Sequence, residues 1–167
     1  MKQTLKYIYS LVYDDMKFAE SKHNIVLTIS GIVLAFATTF LGSNIAQTLF
    51  SIASIIFSLI AILYSFVALV SRNVKVKNKR EKKEFSLVAY KDIMRFDEKT
   101  YVEKIRKEYS FTHLYKPDKM DYDLAREIIS VSKLAWLKFL YFNFSVVFLI
   151  MSILCIILTV VIRGQIW

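Results

Sequence analysis

Lysines and arginines stand beside aromatic rings over one short stretch of this chain: Tyr90-Lys91-Asp92, Arg95-Phe96, Tyr101, Lys104 and Arg106-Lys107. A ring can stack on a planar base and a cation can hold a phosphate, so this set of residues suits an anionic, nucleotide-like ligand. The plainer alternative is a solvated helix face over a tyrosine-rich core, which is what charged helical faces usually are. Catalytic patterns do not occur in the sequence. There is no P-loop, no G-x-G-x-x-G and no H-E-x-x-H. The two histidines, His23 and His113, belong to no cluster with metal-ligand spacing, and no serine has a base close by in sequence. The single cysteine, Cys155, permits no disulfide within the chain. The expectation is therefore a binding protein and not an enzyme, with no catalytic residues, no metal site and no cofactor.

The elements that must carry these residues are set by hydropathy. Residues 25–42, 45–70 and 139–162 contain no Asp, Glu, Lys or Arg. A hydrocarbon core of ~30 Å needs ~20 apolar residues as a helix. This predicts an all-α polytopic membrane protein with three transmembrane helices and a small helical cytoplasmic insert. Four regions follow. Residues 1–24 form an amphipathic cytoplasmic helix, and 25–70 form a hairpin of two spans turned at Gly42-Ser43-Asn44. Residues 71–135 are a cytoplasmic helical sensing region, and 136–167 are the third span with a short external tail. Of the 23 Lys and Arg, 22 fall on the side of the N-terminus and the insert, and only Arg163 falls beyond the third span. All 14 acidic residues share that side, which leaves it at +8. Cytoplasmic flanks carry the Lys/Arg excess, so the N-terminus is placed inside and the C-terminus outside. The basic run 72–83 at a membrane exit then reads as topology plus attraction to anionic lipid, not as a nucleic-acid site. Acidic residues in the N-terminal flank, and a second span directly after the first, argue against a cleaved signal peptide.

Within the insert, 85–96 is expected to be helical. Asp97 is the expected N-cap of a second helix, 98–109, with Ile93, Phe96, Tyr101, Val102 and Ile105 forming an apolar face. No Gly or Pro interrupts 119–162. The spacing of Leu124, Ile128, Val131 and Ala135 therefore predicts one helix that starts near 118–121 and continues through Trp136 into the third span. Small residues recur along the spans at helical spacing. They are Gln47, Ser51, Ser54, Ser58, Ala61, Ser65 and Ala68 in the second, and Thr28, Gly31, Ala35, Thr38 and Gly42 in the first. In the third they are Ser145, Ser152, Cys155 and Thr159. Small faces let helices approach closely, so Gly31, Ala35, Ser51, Ser54, Ser58 and Ser65 are expected to pack helix on helix. A pore lined by such a stripe would require several copies of the chain. The spans hold no Asp, Glu, Lys or Arg and the chain no inverted repeat, which argues against a pump or secondary transporter.

Several segments together resemble the transmembrane effectors of the Pycsar antiphage system. They are Glu20-Ser21-Lys22 just before the first span, Tyr90-Lys91-Asp92-Ile93 followed by Tyr101, and Asp123-Leu124-Ala125-Arg126-Glu127-Ile128 with Val131-Ser132-Lys133 and Lys138 before the last. Glu20, His23 and Glu127 depart from the family's more usual Asp, small residue and Gln. The resemblance implies a homo-oligomeric inner-membrane protein of bacteria. It would bind a cyclic pyrimidine mononucleotide, cyclic CMP or cyclic UMP, made by a partner nucleotide cyclase, and then impair the membrane to abort infection. The local chemistry and the resemblance together nominate Tyr90, Lys91, Asp92, Arg95, Tyr101 and Lys133 for the ligand. They nominate Glu20 and Lys22 for the approach to the membrane. The alternatives are a two-span effector gated by cyclic oligonucleotides and a non-gated structural membrane protein.

Overall fold

The computed structural model describes residues 1–42, 44–70, 85–109 and 115–164. The basic run 72–83, Ser43 of the expected turn, His113 and the tail 165–167 lie outside the described residues. The described residues form five helices and no strand: α1 (Lys2–Thr38), α2 (Ile45–Val70), α3 (Tyr90–Ile93), α4 (Glu98–Glu108) and α5 (Lys119–Gly164). The fold is all-α. Three of these helices, α1, α2 and α5, are long and apolar enough to cross a membrane, which fits a multi-pass membrane protein. α5 is unbroken at Trp136, as expected where neither Gly nor Pro interrupts the run.

The chain divides into two compact units: Met1–Ala19 with Ser71–Lys138, and Glu20–Val70 with Phe139–Trp167. The first is a small helical domain. Leu5, Ile8 and Val12 of α1 bury the apolar stripe of an amphipathic helix. Ile93, Phe96, Tyr101, Val102 and Ile105 pack in the same core with Ala125, Ile128, Ile129 and Val131 of α5.

One expectation is corrected here. Residues 85–96 are not a helix; α3 covers four residues, Tyr90–Ile93. Ser86 and Asp92 are the physical reason. The Ser86 hydroxyl accepts from the amides of Val88 (3.3 Å) and Ala89 (3.2 Å), and the Asp92 carboxylate accepts from the Ser86 amide (3.0 Å). Such local side-chain bonds satisfy the backbone without a helical turn. α4 begins as expected, with the Asp97 side chain accepting from the Thr100 amide. The start of α5 is fixed by a reciprocal pair. Asp118 accepts from the Asp121 amide (3.0 Å), and Asp121 accepts from the Asp118 amide (3.1 Å) and from the Tyr115 hydroxyl (2.8 Å). That bond is the main cause of the Tyr115 pKa being pushed up to about 12. Lys2 pairs with Asp118 at 2.6 Å and ties the first turn of α1 to this end of α5.

The second unit is a bundle of spans. In α2 the buried residues are the small-residue stripe, Gln47, Ser51, Ser54, Ser58, Ala61, Ser65 and Ala68. Ile52, Ile56, Leu59, Leu63 and Phe66 point outward, as a lipid-facing surface requires. Ser145, Ser152 and Thr159 are buried along α5. In α1 the buried face is a different one from the small-residue stripe. The membrane part of this helix buries His23, Val26, Ser30 and Ala37. Thr28, Gly31, Ala35 and Thr38 are exposed, and a Cβ placed on Gly31 would meet nothing within 4 Å. The Thr28 and Thr38 hydroxyls bond carbonyls of their own helix, Asn24 and Ala35, rather than another helix. Gly42 adopts φ 86°, a left-handed conformation that favours glycine, and its amide donates to Thr48 (3.2 Å) at the reversal between the first two spans.

Candidate ligand-binding site

In the helical domain, the first turn of α4 and one face of α5 enclose an open cavity of about 540 Å³. Phe96, Asp97, Glu98 and Lys99 line one side, and Arg126, Ile129, Ser130 and Lys133 line the other. The N-cap at Asp97 decides where α4 starts, and so sets Glu98 and Lys99 at the rim. On α5, Arg126, Ile129, Ser130 and Lys133 share a face because residues three, four and seven apart lie on one side of a helix. Pockets for small ligands span ~300–1,000 Å³. This one is lined by three cations, two carboxylates, a hydroxyl and an aromatic residue.

Its electrostatics are partly committed already. The Asp97 carboxylate is held by Thr100, through the amide at 3.2 Å and the hydroxyl at 2.7 Å. Arg126 grips Glu98 with two bonds, Nε to Oε1 at 2.7 Å and Nη2 to Oε2 at 2.9 Å. Its Nη1 lies 3.6 Å from Asp123. The bond to Arg126 holds the Glu98 carboxyl below its ordinary range, and the same bond raises the Arg126 guanidinium. Phe96 is almost fully buried. Its ring meets Phe85 edge-on at 5.5 Å and Tyr101 at 5.7 Å, and the Lys104 ammonium lies 4.8 Å from its centroid.

Of the residues nominated for the ligand from sequence, Lys133 lines this cavity and the other five do not. Tyr101 is fully buried, its hydroxyl donates to the Leu87 carbonyl at 2.8 Å, and burial raises its pKa. It is a core residue. Asp92 is engaged by the Ser86 amide, and Arg95 lies 5.9 Å over the Phe85 ring. Lys91 lies 5.9 Å over Tyr90, whose own pKa is raised by burial and by Asp15. These four belong to the α3 corner. Glu98, Lys99, Arg126 and Ser130 also line the cavity and were not nominated from the sequence. Arg126 and Lys133 were within the segments that carried the family resemblance, and their spacing of seven was the signal that they share a face.

The membrane unit holds a second polar arrangement. The Ser54 hydroxyl donates to the Ser152 carbonyl (3.0 Å), and the Ser152 hydroxyl donates to the Ser54 carbonyl (2.8 Å). The Ser58 hydroxyl lies 2.8 Å from that of Ser152. Ser54 and Ser58 therefore clip α2 to α5 at mid-span. Beside them the Tyr64 and Phe148 rings stack at 5.7 Å. At the Lys22 end of the span bundle, the Lys22 ammonium lies 5.1 Å from the Phe142 ring and 5.5 Å from Phe139. His23 is buried edge-on against Phe142 at 5.8 Å, and Glu20 is half-buried.

Residues 4–163 match the Pycsar effector protein domain. The chain belongs to the Pycsar effector family. No curated protein and no solved structure matches it. Membership fits a membrane effector of antiphage defence and links the chain to a cyclic-nucleotide signal and its cyclase. Within this Pycsar effector, the Arg126–Lys133 face belongs to the helical domain, while the Ser54–Ser58–Ser152 clip belongs to the span bundle. Among the described residues no group of His, Cys, Asp or Glu could hold a metal ion.

Proposed function

We propose that this effector binds a cyclic pyrimidine mononucleotide, cyclic CMP or cyclic UMP, in the cavity between α4 and α5, and then impairs the bacterial inner membrane. The observation that carries the reading is the cavity itself: cationic Arg126, Lys133 and Lys99 around a Ser130 hydroxyl and the Phe96 ring, in a volume suited to one small ligand. A cyclic mononucleotide brings one negative charge and a planar base, which such a lining complements. The Lys/Arg distribution supports a cytoplasmic N-terminus and helical domain and an external C-terminus. α5 supplies both the cavity face and the third span, so a shift of its cytoplasmic part is the transmitter of the signal. The effector acts as a homo-oligomer, because three helices alone do not enclose a water path.

Titration calorimetry of the purified chain with cyclic CMP and cyclic UMP tests the binding step. A dye-leakage assay in cells supplied with ligand tests the damage. The reading expects binding of a mononucleotide, no response to cyclic di- or trinucleotides, and leakage only with the ligand that binds. Response to an oligonucleotide alone would identify a different effector class. Binding without leakage or depolarisation would leave a sensor without the membrane step.

A further inference from the structure

The cavity already contains an anion of its own. Both oxygens of the Glu98 carboxylate accept from one edge of the Arg126 guanidinium, at 2.7 and 2.9 Å. The remaining outer nitrogen, Nη1, is turned toward Asp123 at 3.6 Å. Arginine presents its donors as planar forks that match two oxygens of a carboxylate or a phosphate. Here the Nε–Nη2 fork is filled, and the other edge faces a second carboxylate. A ligand phosphate cannot take a two-point grip on Arg126 without evicting one of them. Glu98 lines the cavity and Asp123 does not, so the exchange takes place on the Glu98 side.

We propose that Glu98 is a built-in competitor for the ligand: its carboxylate holds Arg126 in the empty site, and an incoming phosphate with two free oxygens displaces it. This rests on the reading of the cavity as the nucleotide site and adds how that site is regulated. The pair is exposed enough to exchange, since Arg126 retains 64% and Glu98 36% of its side-chain exposure. Exposed pairs are weak, so the competitor is displaceable and sets a threshold without closing the site. Exchange has a structural consequence. The Glu98–Arg126 grip joins the first turn of α4 to α5, and losing it frees α5 from α4 at the cavity.

The test is calorimetric titration of the full chain in lipid nanodiscs with cyclic CMP and with cyclic UMP. The proteins compared are wild type, E98Q, D123N, R126Q and the double variant E98Q/R126Q. Glutamine keeps the shape of Glu98 and removes its charge, so E98Q is expected to bind about threefold to tenfold more tightly. D123N should stay within about twofold of wild type, R126Q should bind at least tenfold more weakly, and E98Q should give no gain in the R126Q background. Equal tightening by E98Q and D123N would reduce the effect to general charge and overturn the proposal. Weaker binding by E98Q would also overturn it, by making Glu98 a contact for the ligand. Wild-type binding that is unchanged in R126Q would place the nucleotide elsewhere, and with it the reading of the cavity would fall. No binding by any variant would sink both.

Discussion

At the scale of single residues, the charged face of α5 carries the argument. In the proposed site, Lys133→Ala would remove a charge-assisted contact with the ligand, which is worth ~1.5–3 kcal/mol. Nucleotide affinity is expected to fall at least tenfold by titration while the helical content by circular dichroism stays unchanged. Lys91→Ala, on a residue that does not line the cavity, should leave affinity within about twofold. Tyr101→Phe separates a core role from a ligand role. It leaves the Leu87 carbonyl without its 2.8 Å partner, so thermal or denaturant unfolding should show a loss of ~1 kcal/mol with ligand affinity retained. Sequence showed the company of rings and cations but not which of them face a space. Tyr101 and Lys133 were nominated alike. The difference between them is that Tyr101 lies on the face of α4 buried under Leu87, while Lys133 lies on the face of α5 that the first turn of α4 leaves open. Only a tertiary arrangement determines that.

At the scale of elements, continuity and capping were legible, and local exceptions were not. The absence of Gly and Pro let α5 be read as one helix, and Asp97 let the start of α4 be placed, because both effects are local in sequence. Residues 85–89 were misread because Leu87, Tyr90 and Met94 keep helical spacing, while the Ser86 and Asp92 side chains bond the backbone of 86–89 and delay the start of the helix to Tyr90. In the spans, the small-residue stripe of α2 is buried, and that of α1 is exposed. Its threonine hydroxyls bond their own helix, and a neighbouring face carrying Val26 and Ala37 buries instead. The α2–α5 clip makes a prediction of its own. Hydrogen bonds between spans average ~0.6 kcal/mol and reach ~1.7 kcal/mol. Ser152→Ala removes the hydroxyl that meets those of both Ser54 and Ser58, leaves Ser54 only the Ser152 carbonyl, and should lower bundle stability by about 1–2 kcal/mol in a detergent unfolding assay. Ser58→Leu forces α2 and α5 apart, and overpacking costs ~1–3 kcal/mol. Leakage is expected to disappear with ligand binding retained. Unchanged leakage would remove close α2–α5 packing from the account.

At the scale of the molecule, two units share α1 and α5, and their stabilities respond to different variables. The helical domain has exposed ion pairs at Lys2–Asp118 and Glu98–Arg126, and hydrogen bonding to the partner holds both carboxyls below their ordinary values of 3.8 and 4.5. A depressed carboxyl stabilises the fold fully above its unfolded value, and that contribution is lost as pH falls through the folded value. Lys2 is raised above 10.5, and Tyr115 is pushed up from 10.0 to about 12. Their contributions are complete below the unfolded values and are lost as pH rises through the folded ones. The thermal midpoint of the helical domain should therefore be flat from about pH 5 to 9 and fall modestly on either side. A midpoint that rose as pH fell below 4 would contradict the assigned pairs. The membrane unit draws on packing and hydroxyl bonds and should show no such profile. Three spans and a helical domain were readable from hydropathy and charge, because lipid imposes length and polarity on every span. The cavity was not readable, because it forms between α4 and α5, whose facing residues lie some 28 positions apart in sequence.

Hydrogen–deuterium exchange of the full chain in nanodiscs, with and without cyclic CMP or cyclic UMP, tests the location of the ligand most directly. The account predicts added protection at 96–100 and 126–133, and none at 90–93. Protection confined to α3, or no change at the α4–α5 face when a nucleotide is bound, would contradict it.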